Sequence, residues 1–169
     1  MFSPEINETL NRQIQAEFYA SHLYLSMAAY AESLNLPGMA GWMRMQSAEE
    51  RIHALRLFDY VLDREGTVEL RQIDRPPQQF GSASEMFKQV LEHERHVTQL
   101  ISAAYQQATA GNDHATQVQL QWFVTEQVEE EKTASDISAQ LEMAGNDTPT
   151  LLMLDRELGA RSTAAAAAG

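Results

Sequence analysis

Cysteine is absent from the 169 residues. Disulfides and thiol chemistry are therefore excluded, and any metal site must be built from oxygen and nitrogen ligands. Positive charge is scarce: 12 Lys and Arg stand against 24 Asp and Glu, for a net charge of −12. Nucleic-acid binding needs clustered cations to meet phosphates, so that class is excluded. No basic amphipathic segment suggests a membrane surface, and no apolar run nears the roughly 18 residues of a membrane span. The opening MFSPEINETLNRQ has no basic start followed by an apolar block, so no signal peptide is expected and a cytoplasmic protein is. Neither a glycine-rich phosphate loop nor a Ser-His-Asp set stands out, which leaves hydrolytic nucleophile chemistry without support.

What is present is helical. Hydrophobic residues make up 44% of the chain, enough for one folded domain, expected over residues 1–160. The final STAAAAAG is of low complexity, and residues 161–169 are set apart as a tail. Ser3 and Pro4 read as the cap and first position of a helix running to about Leu34, with an inward stripe of Leu10, Ile14, Glu17, Ser21, Tyr24, Ala28 and Ala31. After a tight turn at Asn35–Gly38, a second helix is expected from about Met39 to Glu65, with Met43, Gln46, Glu50, His53, Leu57 and Val61 inward and Gly66 as its stop. Ser82 and Glu85 form a capping-box pattern before a third helix to about Ala110, whose stripe is Phe87, Val90, Glu94, Val97, Ile101 and Ala104. A fourth runs to about Ala144 with Leu120, Phe123, Gln127, Glu130, Ala134, Ile137 and Leu141, and Thr148 and Pro149 open a short fifth.

Four long helices predict an all-α four-helix bundle. The segment GTVELRQIDRPPQQFG, Gly66–Gly81, joins the second and third. About 16 extended residues reach ~50 Å, whereas a helix of ~27 residues is ~40 Å long. This connection can travel the whole bundle and leave helices two and three parallel. The fifth helix is too short to stand alone, and its leucines either pack on their own bundle or are buried among other subunits.

Every stripe carries a residue out of place: Glu17; Glu50 and His53; Glu94; Gln127 and Glu130, all near mid-helix. Taken singly, each has an ordinary reading, such as a hydrogen-bonded core histidine, a glutamate at a solvent edge, or an amide bonded to backbone. Taken together, four glutamates would converge in an apolar interior, where an unpartnered carboxylate costs several kcal/mol. Arg44, Arg51, Arg95 and Lys132 project elsewhere. Two divalent cations would balance four carboxylates, and carboxylate with imidazole suits iron, manganese or zinc, with oxygen-rich bridging favouring the first two. The i, i+3 spacing puts Glu50 and His53 on one face. Tyr24, two turns after Glu17, is either a packed tyrosine with a bonded hydroxyl or a group acting on the site. Glu49, Glu126 and Glu129 flank the set as a solvated face or as binders of a further ion. Trp42 and Trp122 read as packing residues, and His22, His93, His96 and His114 fit no ligand spacing and are expected at the surface.

The segments NRQIQAEFYASHLYL, SAEERIHA, LEHER and EQVEEEK together resemble the non-haem bacterial ferritins over about residues 1–160. The resemblance implies a ferritin-like bundle with one long crossover and a short fifth helix at fourfold contacts of a 24-subunit homo-oligomeric cage. It implies a dinuclear ferroxidase centre that oxidises Fe²⁺ with O₂ or H₂O₂ and stores the ferric product as a mineral. Glu17, Glu50 and His53 would hold one iron; Glu50 would bridge; Glu94 and Glu130 would hold the other, with Gln127 nearby. Glu49, Glu126 and Glu129 match a third iron site, and Tyr24 matches the tyrosine of that family's centre. Two departures from relatives matter. Where bacterioferritins and rubrerythrin-like proteins carry a second Glu-x-x-His, this chain has Gln127-Val-Glu-Glu130, so the second iron should be held more loosely. Where bacterioferritins have a haem-ligating methionine stands Arg51, so no haem is expected. A non-storage di-iron or di-manganese redox enzyme is the alternative, and a metal-free helical interaction protein a third reading.

Overall fold

A computed structural model describes the backbone of residues 2–168 and the side chains of residues 2–160, so the 161–169 tail lies outside the described side chains. Among the described residues five helices follow one another: α1 Pro4–Ser33, α2 Pro37–Asp63, α3 Ala83–Ala110, α4 His114–Ala144 and α5 Thr148–Ala168. The caps follow from side-chain chemistry. Ser3 Oγ accepts from Ile6 N at 3.1 Å, and Ser82 and Glu85 exchange both bonds of a capping box. Asp113 accepts from Thr116 N at 3.1 Å to open α4.

Two turn expectations need correction. Helix α2 starts at Pro37, not near Met39, because proline's fixed φ suits the first helical position. Its left-handed C-terminal residue is Glu65 (φ 57°), not Gly66. Gly66 is needed for space instead: a Cβ there would sit 2.6 Å from Asn7 Oδ1 and 2.7 Å from the Phe2 ring.

The 64–82 connection runs the length of α1 on side-chain hydrogen bonds. Asn11 Oδ1 accepts from Glu69 N (2.7 Å) near one end of α1, Gln15 donates to Gln72 O (2.6 Å), and Tyr30 OH donates to Gly81 O (2.8 Å) near the other. The third helix therefore begins beside the C-terminal end of α1 and runs back along it, as the Thr9–Gln107 and Tyr24–Glu94 contacts require. That makes α2 and α3 parallel, the one-crossover bundle expected from the length of the connection. Helix α1 packs chiefly on α2 and α3 on α4, while α5 lies mainly against α2.

Every stripe residue of α2, α3 and α4 is buried; on α1 only Ser21 is partly exposed. The apolar interior is not continuous. One cluster holds Tyr24, Met43, Phe87, Val90, Ala134 and Ile137, and a second holds Ile14, Leu57, Val97, Leu120 and Phe123. Between them on all four helices lie Glu17, Gln46, Glu50, His53, Glu94, Gln127 and Glu130, all buried. On α5, Leu154 and Leu158 bury in the first cluster while Leu152 and Met153 face outward. Among the described residues no helix is long and apolar enough to cross a membrane.

Candidate metal centre

The polar layer is assembled one helix at a time. Each ligand-type side chain takes an inward stripe position, so helical periodicity alone aims it at the bundle axis. Glu17, Glu50 and His53 each present a ligand atom, and these atoms lie within 4.8 Å of one another. His53 Nδ1 is 3.3 Å from Glu50 Oε2. The imidazole is held edge-on by Trp122 (5.2 Å between centroids) and Phe123 (5.9 Å), so Trp122 is a wall of the site as well as a packing residue.

On the other side Glu94 accepts from Tyr24 OH at Oε1 and from Gln127 Nε2 at Oε2 (3.1 Å). Two amides that sequence reasoning gave no role complete the set: Gln13 donates to Glu17 Oε1 at 2.7 Å and Gln46 to Glu130 Oε2 at 2.9 Å. Gln13 had a usable signal, since an amide four residues before an inward carboxylate shares its helix face. These donors are all neutral. The Lys and Arg ion pairs found among the described residues all lie away from this layer.

Burial shifts the titrations. Desolvation, then repulsion from Glu50, pushes the Glu17 carboxyl well above the usual range. Desolvation, then Glu94, does the same to Glu50. Desolvation raises Glu94 against the opposing bonds from Tyr24 and Gln127, and desolvation with Glu94 pushes Glu130 up to about 8. The Tyr24 phenol is raised far above its ordinary value, first by burial and then by Glu94.

Glu17 Oε2 is the decisive atom. It is buried with no hydrogen-bond donor, and the group beside it is a second carboxylate, Glu50. Two carboxylates facing each other in a dry interior require a shared proton or a cation. Oxygen-rich donors with one imidazole are the set that iron or manganese prefers, so the residues fit such ions.

A second group forms at the edge of the layer. Glu49 and Glu126, both half-buried, share His53 with the first group, again with ligand atoms within 4.8 Å. Glu129 is exposed and falls outside both groups. His22, His96 and His114 are exposed. His93 is not a surface residue: it is half-buried against the Tyr19 and Tyr24 rings, with Nε2 buried and unpartnered, and burial lowers it to about 4.

An antiparallel-paired helical bundle with a long crossover, enclosing a candidate carboxylate–histidine metal centre, defines the class of protein. Comparison with known proteins defines the family. The model of the ferritin-like domain matches residues 7–144. A bacterial non-heme ferritin of Bacteroides fragilis is 42% identical over 161 residues, 95% of this chain and 100% of that one. Another, from Staphylococcus haemolyticus, is 38% identical over 162 residues, covering 96% and 98%. Among solved structures, an open pore ferritin from the hyperthermophilic archaeon Archaeoglobus fulgidus superposes with a TM-score of 0.93 at 45% identity, over 94% of this chain and 98% of that one. The chain belongs to the ferritin family.

Proposed function

We propose that the protein is an iron-storage ferroxidase. One observation carries the reading: four buried glutamates and a histidine converge on a layer that splits the core, with no cationic side chain among them and Glu17 Oε2 left without a donor. Fe²⁺ is the substrate. Glu17, Glu50 and His53 take one ion, Glu94 and Glu130 the other, and Glu50 lies between, with Gln127 beside Glu94. Glu49 and Glu126, sharing His53, receive a third ion, with Glu129 close by in sequence. No haem is involved.

Binding replaces the protons that burial forces onto the carboxylates, so the ions enter as protons leave. Two Fe²⁺ then give one electron each to O₂, which takes up two protons and leaves as H₂O₂; peroxide accepts electrons in the same way. Carboxylate oxygen stabilises the harder Fe³⁺ more than Fe²⁺, so the site favours the oxidised state of its substrate. On the second side, where Gln127 and Glu130 stand without an imidazole, weaker ligation lets ferric product leave for a mineral. Residues 1–160 form the working domain, and Leu152 and Met153 on α5 offer apolar surface for assembly into a hollow 24-subunit cage in the cytoplasm. The net charge of −12 draws cations toward such a particle.

Stopped-flow absorbance after mixing the assembled protein with Fe²⁺ in air tests the reading. Wild type oxidises iron in a rapid phase that Glu50→Ala and Glu94→Ala each lose. Either variant keeping that phase refutes the site assignment. A particle too small to be hollow, by light scattering, refutes storage.

A further inference from the structure

Gln127 is the ligand-layer residue whose role depends most on orientation, because an amide has a donor end and an acceptor end. Its Nε2 lies 3.1 Å from Glu94 Oε2, 3.2 Å from Glu94 O and 3.3 Å from Thr98 Oγ1. Thr98 stands one turn beyond Glu94 on α3, and its hydroxyl donates to Glu131 Oε1 at 2.6 Å, one turn beyond Gln127 on α4. A hydroxyl has one proton. With that proton committed to Glu131, the Thr98 oxygen can only accept from Gln127. Were the amide turned over, its carbonyl would meet three oxygens and no donor, so the nitrogen end stays on Glu94.

We propose that Thr98 and Glu131 are positioning residues that fix which end of the Gln127 amide meets Glu94, and so set the affinity of the metal position Glu94 serves. This rests on the metal-centre reading above. Neither residue is a ligand. Both are half-buried in the wall of an α3–α4 groove of about 270 Å³, shared with Ile101, Ser102, Val124 and Gln127. Without Glu131 the hydroxyl proton would be free to turn toward Gln127, and one of the three oxygens that hold the nitrogen end would become a donor competing for the carbonyl end. Glu131→Gln does the same, since the new amide can donate to Thr98. Because the pair faces a groove and not the packed interior, altering it opens no cavity in either apolar cluster.

Anaerobic titration of the assembled, full-length protein with Co²⁺, followed by its visible absorption, reads the effect. Glu94→Gln identifies which binding step belongs to the Glu94 position. Thr98→Val and Glu131→Gln are expected to weaken that same step roughly ten-fold, as loss of a group that orients a ligand does, while the other step and Tm stay as in wild type. Thr98→Ser restores the hydroxyl and wild-type binding. Should Thr98→Val fail to fold, Glu131→Gln carries the test. Unchanged binding in both variants, equal weakening of both steps, or a serine variant as weak as the valine one overturns the proposal. If the wild type shows two central steps and both variants bind as the wild type does, this inference alone falls. If the wild type binds no Co²⁺ at the centre, the metal-centre reading falls and takes this one with it.

Discussion

Removing metal should make stability depend on pH in a direction opposite to the usual behaviour of carboxylates. Glu130 is pushed up from 4.5 to about 8, first by desolvation and then by Glu94. Between those two pH values the folded chain keeps a proton that the unfolded chain has released. The stabilisation is fully present below 4.5 and is lost as pH rises through about 8. At about 1.4 kcal/mol per pH unit, that gap corresponds to a ceiling of ~5 kcal/mol, a ceiling because water relaxing into the layer stabilises the ionised form. Glu17, Glu50 and Glu94 are raised as well and act in the same sense. A loss of even ~3 kcal/mol moves the Tm of a domain this size by roughly 10 °C.

The assay is thermal unfolding of chelator-treated protein by circular dichroism from pH 5.5 to 9, with and without Co²⁺. The apo protein should lose Tm steadily over this range. Loading should remove that loss, because a ligated carboxylate is ionised throughout and metal binding strengthens as pH rises. Glu130→Gln, which cannot ionise, should flatten part of the apo curve. An apo Tm that is level or rises with pH, or a slope that survives loading, would show that these carboxylates do not confront one another as described.

Further outcomes follow from particular contacts. Tyr24→Phe removes a donor to buried Glu94 and should lower apo stability by ~1–2 kcal/mol, with a smaller loss once metal is bound, read as the difference in Tm. Gly38→Ala would put a Cβ 1.7 Å from the Asp155 carbonyl oxygen; since backbone must move, a loss of more than ~2 kcal/mol is expected, and limited proteolysis should cut faster in the 145–147 turn as α5 lifts. Asp155→Ala deprives Met39 N of its 2.8 Å acceptor at the start of α2 and should cost ~1 kcal/mol by denaturant titration.

The parts of this structure that were legible in the sequence are those governed by local periodicity. A 3.6-residue repeat placed Glu17, Glu50, His53, Glu94, Gln127 and Glu130 on inward stripes, and the reach of an extended segment was enough to infer the crossover. What was not legible depends on distant partners. Helix α2 has no side-chain cap from Leu36, its own N-cap residue; its cap is Asp155, 116 residues away. His93 looked like one of several surface histidines, and only the packing of α1 on α3 buries it against Tyr19 and Tyr24. Glu126 and Glu129 were read alike, as carboxylates flanking the set, yet three positions on a helix separate a half-buried carboxylate from an exposed one. Glu65 carries the left-handed turn, while Gly66 leaves room for Phe2 and Asn7, contacts that lie about 60 residues away in the chain.

The broken core explains how a chain can tolerate such a layer at all. A single apolar interior interrupted at one end would leave the acidic residues next to solvent, where water would separate them and weaken their hold on a cation. Here apolar clusters close the layer from above and below, and each contributes large buried side chains: Phe87, Met43 and Tyr24 on one side, Phe123, Leu120 and Leu57 on the other. Burial of that kind stabilises by roughly 1.5–3 kcal/mol per large side chain, enough in aggregate to hold four carboxylates where none would settle unaided. The same enclosure raises their proton affinity, so the occupancy of the proposed metal centre would follow the supply of metal and the pH together. Neutral amides and a phenol, in place of lysine or arginine, complete the logic. A cationic side chain would satisfy the carboxylates permanently, whereas Gln13, Gln46, Gln127 and Tyr24 orient them and leave their charge uncompensated, as the proposed metal-binding role requires.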